Sequence, residues 1–277
     1  MVAAPLEPLY EAAGLPELPV PEALVTRYGG PLGFAQPRLL MNFVSSLDGV
    51  VAIPAEAKSP RLLGGGTDAD RFVMALLRAC AGSLLIGAST FRGSSEARWT
   101  AGSLYPAAAD DFAELRRRLE LDPEPLLAVV TRSGALDPSH PALEPGALVF
   151  TTERGAARLR GSVPGAAEVL VVDRDGEVDL AAAVAELRAR GHGIILSEGG
   201  PTIFGSLLDA ALADELFLTI SPRLAGRSGG DERLGLVEGV SLLPDRGVQG
   251  RLLSARRDGD HLFLRYALGT PSQSRAR

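Results

Sequence analysis

Short apolar runs alternate along the chain with stripes of apolar residues at helical spacing. Leu39–Val44, Ser83–Gly87 (SLLIG), Leu126–Thr131 (LLAVVT), Ala147–Thr151 (ALVFT), Glu168–Asp173 (EVLVVD) and Gly193–Ser197 (GIILS) are continuous runs of strand length. Such runs predict strands covered on both faces, the condition of a parallel sheet. Between them Phe72, Val73, Leu76, Leu77 and Cys80 share one helical face, and Thr67 with Asp70 resembles a capping box at its start. Phe112, Leu115 and Leu119 form a second stripe. Leu180, Val184 and Leu187 form a third, with Asp179 as N-cap and Gly191 as the stop. Strands and helices in alternation predict an α/β fold with right-handed crossovers.

The pattern changes near the end. Leu216, Leu218 and Ile220 fall on one face of Glu215–Ser221, and Phe217 and Thr219 on the other. Gly250–Ala255 and His261–Ala267 flank the turn-like RRDGD, which predicts a hairpin. The expected sheet is therefore mostly parallel, closed by antiparallel C-terminal strands. One domain over residues 38–268 follows, with a proline-rich arm at 1–37, lying over the domain or partly disordered, and a frayed tail at 269–277. Placing the apolar strands Leu216–Ile220 and Leu262–Leu264 at a sheet edge gives one motive for a homodimer, since such an edge needs cover.

Composition narrows the chemistry. The 277 residues are 46% hydrophobic and 22% charged, enough to bury a core. A net charge of −6 with no basic block argues against a nucleic-acid partner. Neither a secretory signal nor an apolar run of about 18 residues occurs, which predicts a cytoplasmic protein without a membrane span. The single cysteine, Cys80, excludes a disulfide framework and reads as a small buried hydrophobe. His140, His192 and His261 lack ligand spacing, so no metal site is expected. Lys58 is the only lysine, and its loop-like setting does not suit a Schiff base.

In parallel sheets ligands bind beyond the carboxyl ends of the strands. Those ends read Ser45-Ser46-Leu47-Asp48-Gly49, Gly87-Ala88-Ser89-Thr90, Thr131-Arg132-Ser133-Gly134, Thr151-Thr152-Glu153 and Glu198-Gly199-Gly200-Pro201-Thr202. Each residue alone suits an ordinary turn or cap. Together on one edge they suit a phosphate-bearing ligand. Gly199 and Gly200 would present bare backbone to a pyrophosphate, and Pro201 suits a first helical turn. Glu198 ends an aliphatic strand, where desolvation would favour its neutral form; otherwise it caps the next helix. Gly64-Gly65-Gly66-Thr67-Asp68-Ala69 matches G-x-G-x-x-A, but Leu62-Leu63 is too short for the strand a dinucleotide fingerprint needs. P-loop, nucleophile-elbow and deaminase signatures are missing.

MNFVSSLDG at 41–49, DRFVMALLRACAGSLLIGAST at 70–90, VVTRSG at 129–134 and LSEGGPTIFGSLLDAALADELFLTISPRLAG at 196–226 resemble the riboflavin-biosynthesis pyrimidine reductases, which share the dihydrofolate reductase fold. The stand-alone, actinobacterial-type members are the most similar, and the resemblance spans nearly all of 38–267. It implies a three-layer fold and NADPH-dependent hydride transfer to the imine form of a ribosylaminopyrimidine phosphate. It implies dinucleotide contacts from Ser45, Gly87, Ser89, Thr90, Thr131, Arg132, Ser133, Thr151, Gly199, Gly200, Pro201 and Thr202. Arg132 and Ser133 suit the 2′-phosphate. Asn42, Ser46 and Asp48 would face the substrate, Asp48 as proton source, with Glu198 close to the reacting centre. Asp48 alternatively shapes an Asx-turn at the Asp48-Gly49 corner. A homodimer is implied as well.

Two departures leave the substrate open. The family's Ser-Lys/Gln-Trp is replaced by Lys58-Ser59-Pro60-Arg61-Leu62, and its D-D-P-x-L-T by Phe91-Arg92-Gly93-Ser94-Ser95. A reductase of another heterocycle, such as dihydrofolate, and a nucleotide-binding relative without turnover remain alternatives. With no deaminase motif in these residues, the expected step is the reduction alone.

Overall fold

The computed structural model describes residues 4–56, 59–94, 98–229 and 232–269. Lys58, Ser95 and the tail from Thr270 lie outside the described residues. The chain opens with β1 (Glu7–Glu11), α1 (Glu22–Tyr28), β2 (Arg38–Ser45), α2 (Ser59–Gly64), α3 (Asp68–Cys80) and β3 (Ser83–Gly87). Next come α4 (Ala88–Gly93), α5 (Ala101–Leu104), α6 (Ala109–Arg118), β4 (Leu126–Thr131), β5 (Ala147–Thr151), α7 (Glu153–Leu159) and β6 (Glu168–Val171). It closes with β7 (Asp173–Arg174), β8 (Glu177–Val178), α8 (Leu180–Ala189), β9 (Ile194–Ser197), α9 (Pro201–Asp209), β10 (Glu215–Ile220), β11 (Gln249–Asp258) and β12 (His261–Gly269).

A ten-stranded sheet runs in the order β1-β11-β12-β10-β2-β9-β3-β4-β5-β6. From β10 to β6 neighbouring strands are parallel. On the other side β12, β11 and β1 are antiparallel. Successive strand residues face opposite ways, so Leu84 and Ile86 join one core with α1, α3 and α6, while Leu85 joins the other with α8 and α9. Both faces are covered, which is why these strands carry unbroken apolar runs.

The predicted strands and helices appear with small shifts at their ends. Thr67 caps α3 by accepting from the Asp70 amide, and Asp179 caps α8 by accepting from Ala181 and Ala182. Gly191 follows the end of α8 with φ 91°. The β11–β12 turn carries φ 56° at Gly259, the first central residue, as its hairpin geometry requires. Gly65 and Gly66, also at positive φ, join α2 to α3, and no strand precedes them, so the glycine cluster is a helix–helix turn. Cys80 is buried, and burial pushes its thiol up to about 12.

Three expectations need correction. Glu168–Asp173 is not one strand. β6 stops at Val171, and Asp173 begins the β7–β8 hairpin, whose turn residues Asp175 and Gly176 have φ 56° and 82°. The apolar C-terminal strands are not an edge either. β10 lies between β2 and β12, parallel to the first, so the edge-cover motive for a homodimer falls away. Finally, of the two expectations for the arm, lying over the domain or partly disordered, the structure takes the first further: residues 4–37 join the sheet and the core. β1 pairs with β11, and Leu6, Leu24, Tyr28, Leu32 and Phe34 enter the core.

Buried arginines hold that N-terminal segment, and periodicity does not reveal them. Arg256 Nε donates to the Tyr28 carbonyl at 2.9 Å, its Nη2 donates to Glu11 at 2.7 Å, and its guanidinium lies 4.0 Å from the Tyr28 ring centre. Arg265 Nε donates to buried Glu215 at 2.7 Å, while its Nη2 reaches the Gly33 carbonyl at 2.7 Å. Replacing Arg265 by Met leaves buried Glu215 only Arg38, 3.8 Å away, and should lower the unfolding free energy by about 2–4 kcal/mol. Adding Glu215→Gln should recover most of that loss. Equal losses for the single and double variants in urea unfolding would contradict the assignment.

Candidate functional site

The chain leaves β2 toward β3 but skips a place, which β9 fills. The β2-to-β3 crossover runs through α3 on one face; the β9-to-β10 crossover runs through α9 on the other. Connections that part in this way open a crevice at the carboxyl ends of the central strands. All the predicted site residues except Asn42 fall on that edge.

The β9 side carries the most open backbone. Pro201 opens α9, and its N-cap, Gly200, gives no side-chain cap. The amides of Thr202 and Ile203 in this first turn lie beyond the reach of the intrahelical ladder. A Cβ added at Gly200 would have no neighbour within 4 Å, so the backbone there faces open space. Gly200 has φ −69°, and Gly199 is not at positive φ, so unusual dihedrals are not the reason for these glycines. Gly199 has a packing reason, because a Cβ would come within 3.0 Å of Ile203. A Cβ added at Gly87, at the end of β3, would come within 2.9 Å of the same isoleucine. Ile203 therefore sets the spacing between the two glycine turns.

Further along the edge, Ser89, Arg132 and Ser133 are exposed and Thr90 is half-buried. Arg132 Nη1 lies 2.6 Å from Glu177 Oε1 on β8, both side chains being about two-thirds exposed (67% and 66%). Thr131 and Thr151 are buried, and the Thr151 hydroxyl donates to the Thr131 carbonyl at 2.6 Å. Thr151 thus braces β5 on β4 and does not offer its hydroxyl to a ligand. Phe91 lies wholly buried, 4.3 Å from the His140 ring and stacked at 5.9 Å on Trp99. This cluster, with Arg92 donating to the Ala135 carbonyl at 2.8 Å, fixes the turn after β3 to the loop after β4.

On the β2 side the loops are zipped together. Leu47 N donates to the Arg223 carbonyl at 2.7 Å, and Ala52 forms a β-bridge with Leu234. Asp48 Oδ1 accepts from the Ser46 hydroxyl at 2.6 Å and from the Ala225 amide at 3.0 Å; Oδ2 accepts from the Gly226 amide at 2.8 Å. The Ser46 hydroxyl foremost, then the Ala225 amide, holds the Asp48 carboxyl well below the usual carboxylate range. Asp48 is therefore an anionic bracket between two loops. It forms no Asx-turn, since the Val50 amide goes to Ser46 Oγ at 3.0 Å, and an acid held so firmly ionised suits proton donation poorly. Ser46 is buried and used in the same bracket, and the buried Ser45 hydroxyl donates to the Ser46 carbonyl at 2.8 Å. Asn42 stands apart, lining a small cavity with Tyr28, Val73, Phe217 and Thr219.

Glu198 is neither an isolated acid nor a cap. Arg78 Nε and Nη2 donate to its two carboxylate oxygens, each at 2.7 Å. Arg78 is 2% exposed and sits in the last turn of α3. This residue escaped the sequence reading because a basic residue in a last turn looks like an ordinary dipole partner. Its neighbours Ala75, Leu77, Ala79 and Cys80 offered the clue, since a helix buried this widely leaves an arginine little surface to occupy.

Comparison with known proteins fits this arrangement. The family model described as RibD C-terminal domain matches residues 37–263. The riboflavin biosynthesis protein RibD of Escherichia coli K12 is 27% identical over 195 residues, covering 69% of this chain and 49% of that protein. The chain thus spans about half the length of that relative. A pyrimidine reductase-like protein from Corynebacterium diphtheriae superposes with a TM-score of 0.63 at 20% identity, covering 91% of this chain and 96% of that one. RibD of Acinetobacter baumannii gives 0.62 at 19% identity, covering 89% and 60%. The riboflavin biosynthesis reductase Rib7 of Saccharomyces cerevisiae gives 0.55 at 14% identity, covering 89% and 98%. These likenesses show the expected three-layer α/β fold, mostly parallel with antiparallel C-terminal strands.

The bracket role of Asp48 is testable without a ligand. In an Asp48→Ala variant the Ala225 and Gly226 amides should exchange with solvent roughly tenfold faster or more, having lost a charged acceptor. Protection of β2 and β9 should not change. A depressed carboxyl contributes stability above its unfolded value, near ~4, that is lost as pH falls through its folded value. The wild-type amides should therefore deprotect only in acid. Unaltered exchange at both amides in the variant would refute the bracket.

Proposed function

The chain belongs to the RibD C-terminal domain family, and on that premise we propose that it is an NADPH-dependent reductase of a 5-amino-6-(5-phosphoribosylamino)uracil-type substrate. The observation that carries this reading is the open backbone of Gly199–Gly200 at the start of α9, beside the Gly87–Thr90 turn. That cradle fits a pyrophosphate, because a Cβ-free surface and helix-start amides admit an anion closely.

When bound, NADPH would supply the hydride that reduces the open-chain imine of the ribosylamine. The residues of this chain would place the two partners. Thr202 and Ile203 amides, with the Ser89 and Thr90 hydroxyls, would hold the dinucleotide phosphates. Arg132 and Ser133 would meet the 2′-phosphate, Arg132 first leaving Glu177. Glu198, fixed by Arg78, would present a rigid polar wall beside the reacting centre. Asp48 would shape the opposite rim by holding the 222–227 loop. A second reading, reduction of another heterocycle at the same edge, is favoured by one feature. Phe91, in the segment that departs from the family pattern, is buried in an aromatic cluster and unavailable to substrate.

Absorbance of NADPH with the aminouracil substrate and with dihydrofolate separates these readings. Oxidation with the first is expected; oxidation with dihydrofolate alone selects the second; tight binding without oxidation of either would point to a non-catalytic relative. NADPH should bind better than NADH. Arg132→Ala should weaken NADPH by about 10–150-fold, the loss of a charge-assisted contact of roughly 1.5–3 kcal/mol, and leave NADH little affected. Glu177→Gln should strengthen NADPH by freeing Arg132. Equal affinities of the wild type for both cofactors would refute the 2′-phosphate assignment.

A further inference from the structure

The glycine cluster between α2 and α3 seats charge. A Cβ added at Gly64 would come within 3.0 Å of Val44 Cγ2, so this glycine lets the end of α2 close on β2. Gly65 and Gly66 have φ 73° and 64°, a left-handed pair that glycine adopts without strain. Two arginines lie over them. A Cβ at Gly65 would stand 3.2 Å from Arg223 Nη2, and a Cβ at Gly66 would stand 3.4 Å from Arg61 Nε. The bare turn therefore admits side chains from α2 and from the loop after β10 onto consecutive residues.

A third arginine belongs to the same loops. Arg223 Nη1 donates to the Leu62 carbonyl at 2.9 Å, and Arg227 Nη1 donates to the Asp48 carbonyl at 3.0 Å. The Leu47 amide donates to the Arg223 carbonyl at 2.7 Å, which joins the loop after β2 to the loop after β10. Arg61, Arg223 and Arg227 are all exposed, and none of them forms an ion pair among the described residues. Other arginines of this edge are matched, Arg78 by Glu198 and Arg132 by Glu177. The Asp48 carboxylate is taken up by Ser46, Ala225 and Gly226. In a chain of net charge −6, guanidiniums gathered by backbone carbonyls and left without carboxylates make a local positive field.

Their place in the fold gives that field a use. β2 ends at Ser45 and β10 at Ile220, and the two strands are parallel neighbours. Their loops therefore stand on the same carboxyl edge as the glycine turns after β9 and β3. In the sheet order β10-β2-β9-β3, the arginines lie beyond β9 on the side away from the β3 turn. A dinucleotide on the glycine turns leaves this side to the other reactant. Leu47, Leu62 and Leu224, in the same loops, are exposed and offer apolar surface beside the charge.

We propose that Arg61, Arg223 and Arg227 form a phosphomonoester subsite that holds the phosphate end of the substrate, remote from the reacting carbon; this rests on the reductase reading above. Guanidinium forks match phosphate oxygens and stay charged at every working pH. Arg61 falls in the stretch where this sequence departs from the pyrimidine reductases, so the subsite is a feature of this chain. A contact made equally before and during hydride transfer lowers KM and leaves kcat alone.

NADPH oxidation with the phosphorylated aminouracil substrate and with its dephosphorylated form provides the test. Wild type should prefer the phosphorylated form through KM, and added salt should weaken that preference. The Arg61 side chain makes no hydrogen bond among the described residues, so Arg61→Ala should keep the melting temperature. It should raise KM for the phosphorylated form about tenfold and leave kcat, and KM for the dephosphorylated form, near wild type. Arg61→Glu should erase the preference. A preference that survives Arg61→Glu, or a KM that rises equally for both forms, would overturn the subsite while the reductase reading stands. If wild type reduces neither form, titration with inorganic phosphate decides. Saturable shifts of the Arg61 and Arg223 Nε–H resonances, absent with chloride, would support the subsite and overturn the reductase reading alone. Silent resonances would overturn both.

Discussion

A carboxylate carried to the end of a buried aliphatic strand needs a fixed cation, and Arg78 gives one to Glu198. The strand before Glu198, Ile194–Ser197, is wholly buried, and Arg78 reaches its carboxylate from the last turn of α3 with two bonds of 2.7 Å. Such a pair is less a source of net stability than of geometry, since desolvation of both partners offsets much of their attraction. It ties the last turn of α3 to the carboxyl end of β9. Arg116 holds the same helix end through the carbonyls of Arg78 and Ala81, at 3.1 and 2.7 Å. With α3 pinned there, the chain after β9 turns at Gly199–Gly200 into α9.

Two carboxyls near one edge thereby acquire different tasks from their surroundings. Asp48 is ionised by its donors and ties loops. Glu198 is neutralised by a buried guanidinium and stiffens a wall.

The fold was largely legible from the chain. Runs such as SLLIG and LLAVVT became β3 and β4 within the bounds that periodicity set, because strands covered on both faces leave a signal that needs no partner to read. The N-terminal segment hid its order, since β1 is exposed at every position and the residues after it are held at Tyr28 and Gly33 by Arg256 and Arg265 from more than 200 positions away. In the candidate site, the strand-end positions were legible but the commitments of their side chains were not. Asp48, Ser46 and Thr151 proved to bond loop or strand backbone, partly from segments far along the chain. Arg78 depends on a partner 120 residues on, which no local pattern encodes.

On the proposed function, the glycine turns after β3 and β9 would form one dinucleotide cradle at the end of the crevice. Backbone amide resonances followed during titration with NADPH test it most directly. The amides of Gly87–Thr90 and of Gly199, Gly200, Thr202 and Ile203 should shift together with one binding curve, while those of Leu6, Glu7, Leu9–Glu11 and β11 should not move. A saturable shift confined to other parts of the sheet, with both glycine turns silent, would contradict it.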